Sequence, residues 1–361
     1  TITAPTDITN NGLWLDGNDP NGTGTAPANG TVITTWQDKS PENNDGTVLA
    51  GNGGAVFDTT NQINGRSVMT FTRDGAATGI GTSGDVYNIA GLDIRPITNP
   101  DVTVFTVYRQ KNTAVEQNAI WGIDNSNWDR FFYIRHYSFG DGTNDGIVGL
   151  GPTNQYALVQ DAALANNTRL LSVVYDGNVT GGANNGPNNA SIVRFGSTVV
   201  QNFTDSSEAS NQQSSLRIGN DGDNSYGDFY LAEMIVYNRL LTECETSTIT
   251  SYLAEKYGED FSTVFTTQPA NQTICEGTSS VTFNPTTTGV DAYQWEQRIG
   301  AGAWTAVTND ANFSNATTED LTITNAPTSF NGRQYRLRAT DNSGACPCVS
   351  YSNAVTLTIN R

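Results

Sequence analysis

Two short acidic segments have the spacing of calcium-binding loops. Residues 221–228 read Asp-Gly-Asp-Asn-Ser-Tyr-Gly-Asp, and residues 141–146 read Asp-Gly-Thr-Asn-Asp-Gly. Oxygen-bearing side chains recur at about every second position, and Ca²⁺ takes oxygen ligands. The second segment is not an EF-hand, because Pro152 stands where that loop has its last glutamate, and both segments could instead be solvated turns. The candidate calcium ligands are Asp141, Asp145, Asp221, Asp223, Ser225 and Asp228.

A third segment mixes aromatic and polar side chains as a saccharide-binding patch does. Residues 121–130 begin with Trp121 and include Trp128 among Asp and Asn side chains. A pyranose has apolar C–H faces and a rim of hydroxyls, so it needs an aromatic platform with polar neighbours. Alternatively, Trp121 lies in a core strand and Trp128 packs a long loop. The candidate ligand-binding residues are Asp124, Asn127, Trp128, Asp129, Arg130, Arg135 and His136.

Catalysis has little support, and we predict that the chain is not an enzyme. Glycosidases need two carboxylates on one face, and no Glu-x-Asp-x-x-Glu run is present. Glu233 has no second carboxylate on its strand and is expected to pair with an arginine or cap a loop. His136 is the sole histidine, and no Gly-x-Ser-x-Gly elbow accompanies it. Asp16 and Asp38 are expected to accept hydrogen bonds from loop amides.

The four cysteines predict two disulfides if the chain is exported. One arrangement closes a loop of about 73 residues between Cys275 and Cys348 and leaves Cys346 to pair with Cys244. The alternative pairs Cys275 with Cys346 and leaves Cys244 as a thiol.

Composition and charge exclude several classes of partner. The 361 residues carry a net charge of −18, which opposes binding to nucleic acids and anionic membranes. Residues 265–361 hold seven acidic and five basic side chains, so most of the negative charge belongs to residues 1–264. No apolar run approaches the ~20 residues of a membrane-spanning helix. Abundant Thr, Asn and Gly are typical of an extracellular β-protein with long loops.

Strand patterns dominate the first 240 residues. Residues 101–108 and 170–175 are apolar on both faces, as in central strands. Residues 192–200 predict a hairpin with a two-residue turn. Residues 229–237 predict a strand that places Phe229, Leu231, Ile235 and Tyr237 on one face.

The one convincing helix is predicted from about Glu243 to Tyr257. Thr242 is a suitable N-cap, and Ile249, Tyr252, Leu253 and Tyr257 form an apolar stripe. A composition change follows near residue 264, where we place a domain boundary.

Residues 1–264 resemble a concanavalin A-like, laminin G-like jelly roll of bacterial surface proteins. The opening motifs are Leu-Trp-Leu-Asp at residues 13–16 and Trp-Gln-Asp-Lys-Ser at residues 36–40. The closing motifs lie at residues 216–219, 231–239 and 252–258. Trp14 and Trp36 are expected in its core.

Residues 265–361 resemble the immunoglobulin-like modules of large surface proteins in gliding bacteria that use type IX secretion. Trp295 matches the core tryptophan and Tyr335 the corner tyrosine of such modules. Leu337 stands where an antibody domain has a cysteine, so Phe283 and Leu337 are expected to fill that core. The resemblance implies export by the type IX machinery and an extracellular, cell-surface location.

We therefore expect an all-β chain: a two-sheet jelly-roll sandwich (1–264) with one short C-terminal helix, followed by an immunoglobulin-like β-sandwich (265–361). The expected function is that of a secreted or cell-surface adhesin that recognises a polysaccharide or cell-surface glycan through jelly-roll loops. Calcium is the one expected cofactor, and no organic cofactor is predicted. The alternatives are a structural repeat of a giant adhesin or filament, with protein surfaces as partners, and a non-catalytic module of a polysaccharide-degrading enzyme.

Overall fold

The computed structural model describes residues 2–74, 82–94, 101–111, 118–124, 132–137, 145–149, 156–159, 167–176, 191–196, 198–203, 212–222, 225–257, 264–277, 280–342 and 348–360. The chain divides into two compact units. The large unit comprises Thr3–Phe195 and Val199–Thr242. The small unit comprises Glu243–Arg361 with Thr1–Ile2 and Gly196–Thr198.

The described elements are almost entirely β-strands, as the composition predicts. The strands of the large unit are β1 (Asn11–Asp16), β2 (Thr35–Trp36), β3 (Gly46–Val48), β4 (Val56–Ile63), β5 (Arg66–Phe71), β6 (Tyr87–Ile89), β7 (Asp101–Gln110), β8 (Asn118–Asp124), β9 (Phe132–Tyr137), β10 (Asp145–Gly149), β11 (Tyr156–Val159), β12 (Thr168–Asp176), β13 (Ser191–Phe195), β14 (Thr198–Phe203), β15 (Gln212–Ile218) and β16 (Phe229–Tyr237). The small unit contains α1 (Glu243–Tyr257), β17 (Phe265–Thr267), β18 (Gln272–Cys275), β19 (Ser280–Phe283), β20 (Thr286–Thr287), β21 (Ala292–Arg298), β22 (Thr305–Ala306), β23 (Phe313–Ser314), β24 (Leu321–Thr324), β25 (Gln334–Asp341), β26 (Cys348–Tyr351) and β27 (Val355–Asn360). Short 3-10 turns cover Pro5–Asp7 and Thr328–Phe330.

Two eight-stranded sheets form the large unit. Sheet A has the order β14-β13-β12-β7-β16-β5-β4, with β1 also paired to β16. Sheet B has the order β11-β10-β9-β8-β15-β6-β3-β2. Trp36 and Trp121 of sheet B share one buried core with Leu13, Val104 and Met234 of sheet A, so the sheets stack face to face.

The strands predicted from apolar patterns form as expected. β7 and β12 pair antiparallel over nine residues, and β7 is buried on both faces, as a central strand should be. The predicted 192–200 hairpin is β13 and β14.

A β-bulge corrects the predicted face of β16. The pairing with β7 shifts between Leu231 and Glu233, so Leu231 and Met234 both enter the core. A bulge adds one residue to a strand and reverses the alternation beyond it. Glu233 and Ile235 therefore face away from the core that holds Leu231, contrary to the period-2 prediction.

The described part of the small unit is a sandwich of two main sheets, with a separate β17–β20 pair and with α1 beside it. One sheet has the order β18-β27-β25-β21-β22, with β26 on β25, and the other has the order β19-β24-β23. Trp295, Phe283 and Leu337 are fully buried in its core, and the Phe283 and Trp295 rings lie 5.9 Å apart. The hydrophobic filling predicted where antibody domains have a disulfide is confirmed. Tyr335 is also buried, yet its hydroxyl has no hydrogen-bond partner in the described part of the chain, unlike a corner tyrosine.

The helix has the predicted bounds, but it belongs to the small unit. α1 packs on β26 and is grouped by its contacts with residues 264–361, whereas the predicted boundary at 264/265 assigned it to the first domain. Ile249, Leu253 and Tyr257 are buried as predicted, while Tyr252 is only half-buried. Within the described residues, no helix has the length and apolar character needed to cross a membrane.

Candidate functional site

Sheet B brings several of the predicted site residues to one edge of the large unit. Asn118, the first residue of β8, pairs with Arg135 of β9, and His136 follows directly. Asp145, the first residue of β10, pairs with Tyr137 at the end of β9. We call this edge the Asn118 rim.

The other predicted ligand residues belong to the opposite edge or lie outside the described residues. Asp124 ends β8 and pairs with Gln212, six residues and about 20 Å along the strand from Asn118. Asn127, Trp128, Asp129 and Arg130 lie between β8 and β9 in sequence and outside the described residues. The predicted patch is thus split, because Asp124 lies at one end of β8 and Arg135 lies beside the other end of that strand. Trp121 is fully buried in β8 and is a core residue.

The predicted calcium segment 221–228 also adjoins the Asn118 rim. Asn118 Nδ2 donates to the Asp228 carbonyl at 3.1 Å, and the Asp228 amide donates to Asn118 Oδ1 at 2.6 Å. The turn closes on itself, since the Ser225 amide donates to Asp221 Oδ1 and the Asp221 amide to the Ser225 carbonyl. Arg217 also donates to the Gly222 carbonyl at 2.7 Å. This is the local hydrogen bonding of an Asx-type turn.

The described oxygen atoms of this turn do not form a calcium site by themselves. Asp228 Oδ1 lies 2.6 Å from Lys111 Nζ, and Asp221 and Ser225 are buried inside the turn. No group of three or more Asp, Glu, His or Cys side chains among the described residues is arranged to hold a metal ion. Asp141 and Asp223 lie outside the described residues, and only the backbone of Asp145 is described.

Beside Asp228 lies a charged cluster that sequence reasoning missed. Lys111 Nζ donates to the Phe71 carbonyl at 2.9 Å and to Thr72 Oγ1 at 3.1 Å as well as pairing with Asp228. The Thr72 amide donates to Asp85 Oδ2 at 2.8 Å. Burial raises the pKa of Asp85 to about 6, with the charges of Asp74 and Asp228 adding to the effect and Lys111 opposing it. These residues come from four separate segments of the sequence, so no local motif could reveal them.

The acidic residues of the opening motifs are structural, as predicted for Asp16 and Asp38. Asp38 accepts hydrogen bonds from the amides of Trp14, Ser40 and Asn44, at 2.7 to 2.8 Å, and from the Ser40 hydroxyl at 2.6 Å. Asp16 accepts from the Asn18 amide at 3.0 Å.

Trp14 differs from the expectation that it lies in the core. Trp14 is half-buried rather than in the core, and its indole Nε1 donates to Glu233 Oε1 at 2.7 Å. Lys39 Nζ lies 4.7 Å from the Trp14 ring centroid and 3.0 Å from Asp19 Oδ2. The Glu233 carboxylate therefore binds the Trp14 indole on the face to which the bulge turns it.

The cysteines follow neither predicted scheme completely. Cys244 is disulfide-bonded, which excludes the alternative in which it remains a thiol. Cys275 is an exposed thiol, so the predicted Cys275–Cys348 and Cys275–Cys346 bridges are both wrong. The strand register explains why Cys275 and Cys348 are not bridged. Cys275 lies opposite Asn360 of β27, and Cys348 lies opposite Asp341 of β25. These two positions are roughly eleven residues, or about 35 Å, apart along the strands. The remaining candidates for the partner of Cys244 are Cys346, which lies outside the described residues, and Cys348 of β26, of which only the backbone is described.

Comparison with known families concerns the small unit alone. Residues 264–361 match a family described as a domain of unknown function, DUF8696. This match begins where the sequence predicts the domain boundary and leaves α1 outside it. No curated protein matches the chain.

Several solved structures are similar to part of the chain, all at low sequence identity and low TM-score. The twitchin kinase region from C. elegans is 17% identical with a TM-score of 0.21, and the match covers 27% of this chain and 16% of that one. The titin M10–obscurin-like 1 complex is 18% identical with a TM-score of 0.21, covering 26% of this chain and 89% of that one. The titin M3 domain is 19% identical with a TM-score of 0.19, covering 27% and 95%.

Proposed function

We propose that this chain is part of an exported, non-catalytic cell-surface protein of the adhesin type. In this proposal the large unit is a jelly roll that recognises a polysaccharide or cell-surface glycan, and the small unit is an immunoglobulin-like spacer. The all-β architecture in two sandwich units, the low content of charged residues and the acidic first 264 residues support it. The type IX export machinery and an extracellular location follow from the resemblance of residues 265–361.

The observation that carries the proposal is the backbone register that brings Arg135, His136 and Asp145 to the Asn118 rim. Arg135 and His136 lie close to the end of β9 there, Asp145 begins β10, and the Asp228 backbone is hydrogen-bonded to Asn118. Carboxylates, a guanidinium and an imidazole are the groups that bind sugar hydroxyls in protein sites. The half-buried Tyr226 of this turn supplies an aromatic ring at the same edge.

Calcium remains part of the proposal through Asp141, Asp145 and Asp223. Asp228 is ion-paired with Lys111, so the metal would depend on these three aspartates instead. Oxygen ligands from two loops would fix those loops relative to one another when the ion binds. A rigid rim loses less conformational entropy when it binds a glycan.

The proposal is tested by a glycan array with the full chain, run once with calcium and once with EDTA. We expect calcium-dependent binding that Asp145→Asn abolishes. Asp58→Asn is the matched control, because it makes the same change on β4. Equal binding in both buffers would support glycan recognition and overturn the role of calcium. No binding in either buffer overturns glycan recognition and favours a structural repeat.

A further inference from the structure

The small unit contains a cleft that the proposed function does not use. It lies between α1 and the β25–β26 pair and encloses about 230 Å³. Ser247, Ser251 and Glu255 line it from α1, and their four-residue spacing places them on one face of the helix. Arg338 and Tyr351 line it from the sheet.

Arg338 brings an uncompensated positive charge to this cleft. Arg336, on the same face of β25, is ion-paired with Glu255 at 3.1 Å and with Glu296 at 2.7 Å. The residue opposite Arg338 on β21 is the neutral Gln294, and its other cross-strand neighbour is Tyr351. Arg338 forms no hydrogen bond or ion pair with any residue that the structure describes.

The walls of the cleft are fixed before any ligand arrives. Ser251 Oγ donates to the Val349 carbonyl at 2.6 Å, which joins α1 to β26. The Arg336 guanidinium lies 4.0 Å from the Tyr351 ring centroid, and its Nη2 lies 3.1 Å from Glu255 Oε1. A site of this kind loses little entropy on binding, since its side chains are already in place.

We propose that the cleft binds a hydroxyl-rich carboxylate, namely one uronic acid unit of an acidic saccharide. The Arg338 guanidinium is the donor for the carboxylate, because its planar fork matches two carboxylate oxygens. Glu255 accepts from ring hydroxyls, Ser247 supplies a hydroxyl, and Tyr351 offers an aromatic surface to the C–H groups. A cleft of 230 Å³ is smaller than the ~300–1,000 Å³ of drug-sized sites, which favours a single sugar unit. The inference goes beyond recognition at the Asn118 rim and depends on different residues.

The test is a saturation-transfer NMR titration of the full chain with three probes. Methyl β-D-glucuronide has both the carboxylate and the sugar ring. Methyl β-D-glucoside lacks the carboxylate, and acetate lacks the sugar ring. We expect the glucuronide to bind about tenfold or more tightly than either other probe, and Arg338→Gln to remove this preference. Arg109→Gln, which removes the same charge from the large unit, is expected to leave the preference unchanged.

The outcomes separate this inference from the proposed function. Equal binding of glucuronide and glucoside, no binding of any probe, or an unchanged preference in Arg338→Gln would each overturn the uronate site. Acetate binding as tightly as the glucuronide would also overturn it, since a bare carboxylate would then suffice. Glycan binding on the array that Asp145→Asn abolishes and Arg338→Gln does not affect would leave the proposed function intact.

Discussion

Replacing Asp85 with asparagine should stabilise the large unit at neutral pH. Asp85 is half-buried, and this burial, together with the smaller effects of the Asp74 and Asp228 charges, raises its pKa from 3.8 to about 6. Asparagine keeps the size of the side chain and an oxygen for the Thr72 amide, while it removes the charge. The expected gain is therefore electrostatic rather than steric.

The size and pH range of the effect follow from the pKa. Well below pH 3.8 the carboxyl is protonated in both the folded and unfolded states, so its ionisation costs no stability. The cost grows as the pH rises from 3.8 to about 6 and is complete above that value. The shift corresponds to at most about 3 kcal/mol, and solvent screening at this partly exposed rim reduces it to about 1–2 kcal/mol.

The assay is urea unfolding of the wild type and Asp85→Asn at about pH 4 and about pH 7, in EDTA, with hydrogen exchange to assign the transition to the large unit. Asp58→Asn is the control with the opposite sign. Burial alone would raise the pKa of Asp58, but hydrogen bonds from Asn61, Thr70 and the Thr60 amide lower it overall. That variant should lose stability at the higher pH. The reasoning is refuted if Asp85→Asn is no more stable than the wild type at about pH 7, or if its gain is equally large at about pH 4.

Three further changes test other parts of the structure. Asp38→Ala should lower the free energy of unfolding by about 3 kcal/mol in urea, because it leaves four hydrogen-bond donors unmatched. Gly219→Ala should lower the free energy of unfolding by more than about 2 kcal/mol, since φ is +88° and a Cβ would lie 2.1 Å from the Asp85 carbonyl oxygen. The control Gly51→Ala, which has a similar φ but open space around it, should lower it by about 1 kcal/mol. Equal losses of stability in thermal melts would contradict the steric argument. Cys244→Ser should lower stability by about 2–4 kcal/mol. A non-reducing peptide map should link the Cys244 peptide to the one holding Cys346 and Cys348, and a Cys244–Cys275 link would show the assignment to be wrong.

Much of the fold is visible in the sequence because it depends on local periodicity. The helix from Glu243 to Tyr257 carries its own cap and apolar stripe, and β7 is apolar on both faces because it lies between β12 and β16. Phe283 and Leu337 could be placed in the core of the small unit because that core must be filled wherever a disulfide is absent.

The candidate sites were harder to predict because they depend on register and long-range contacts. One bulge after Leu231 turns Glu233 to the other face, and no composition signal marks it. The direction of the β8–β9 hairpin separates Arg135 from Asp124, although eleven residues of sequence suggest one patch. The Lys111 and Asp85 cluster joins residues that only the completed sandwich brings together.

The most direct test of glycan recognition at the Asn118 rim compares a residue beside the start of β8 with a residue that follows the end of β8 in sequence. The tightest glycan from the array would be titrated against Arg135→Gln, at this rim, and Trp128→Ala, whose segment follows the opposite end of β8. We predict that Arg135→Gln weakens binding about tenfold or more and that Trp128→Ala leaves it within about twofold. Full binding by Arg135→Gln with loss in Trp128→Ala would contradict the account and assign recognition to the segment between β8 and β9.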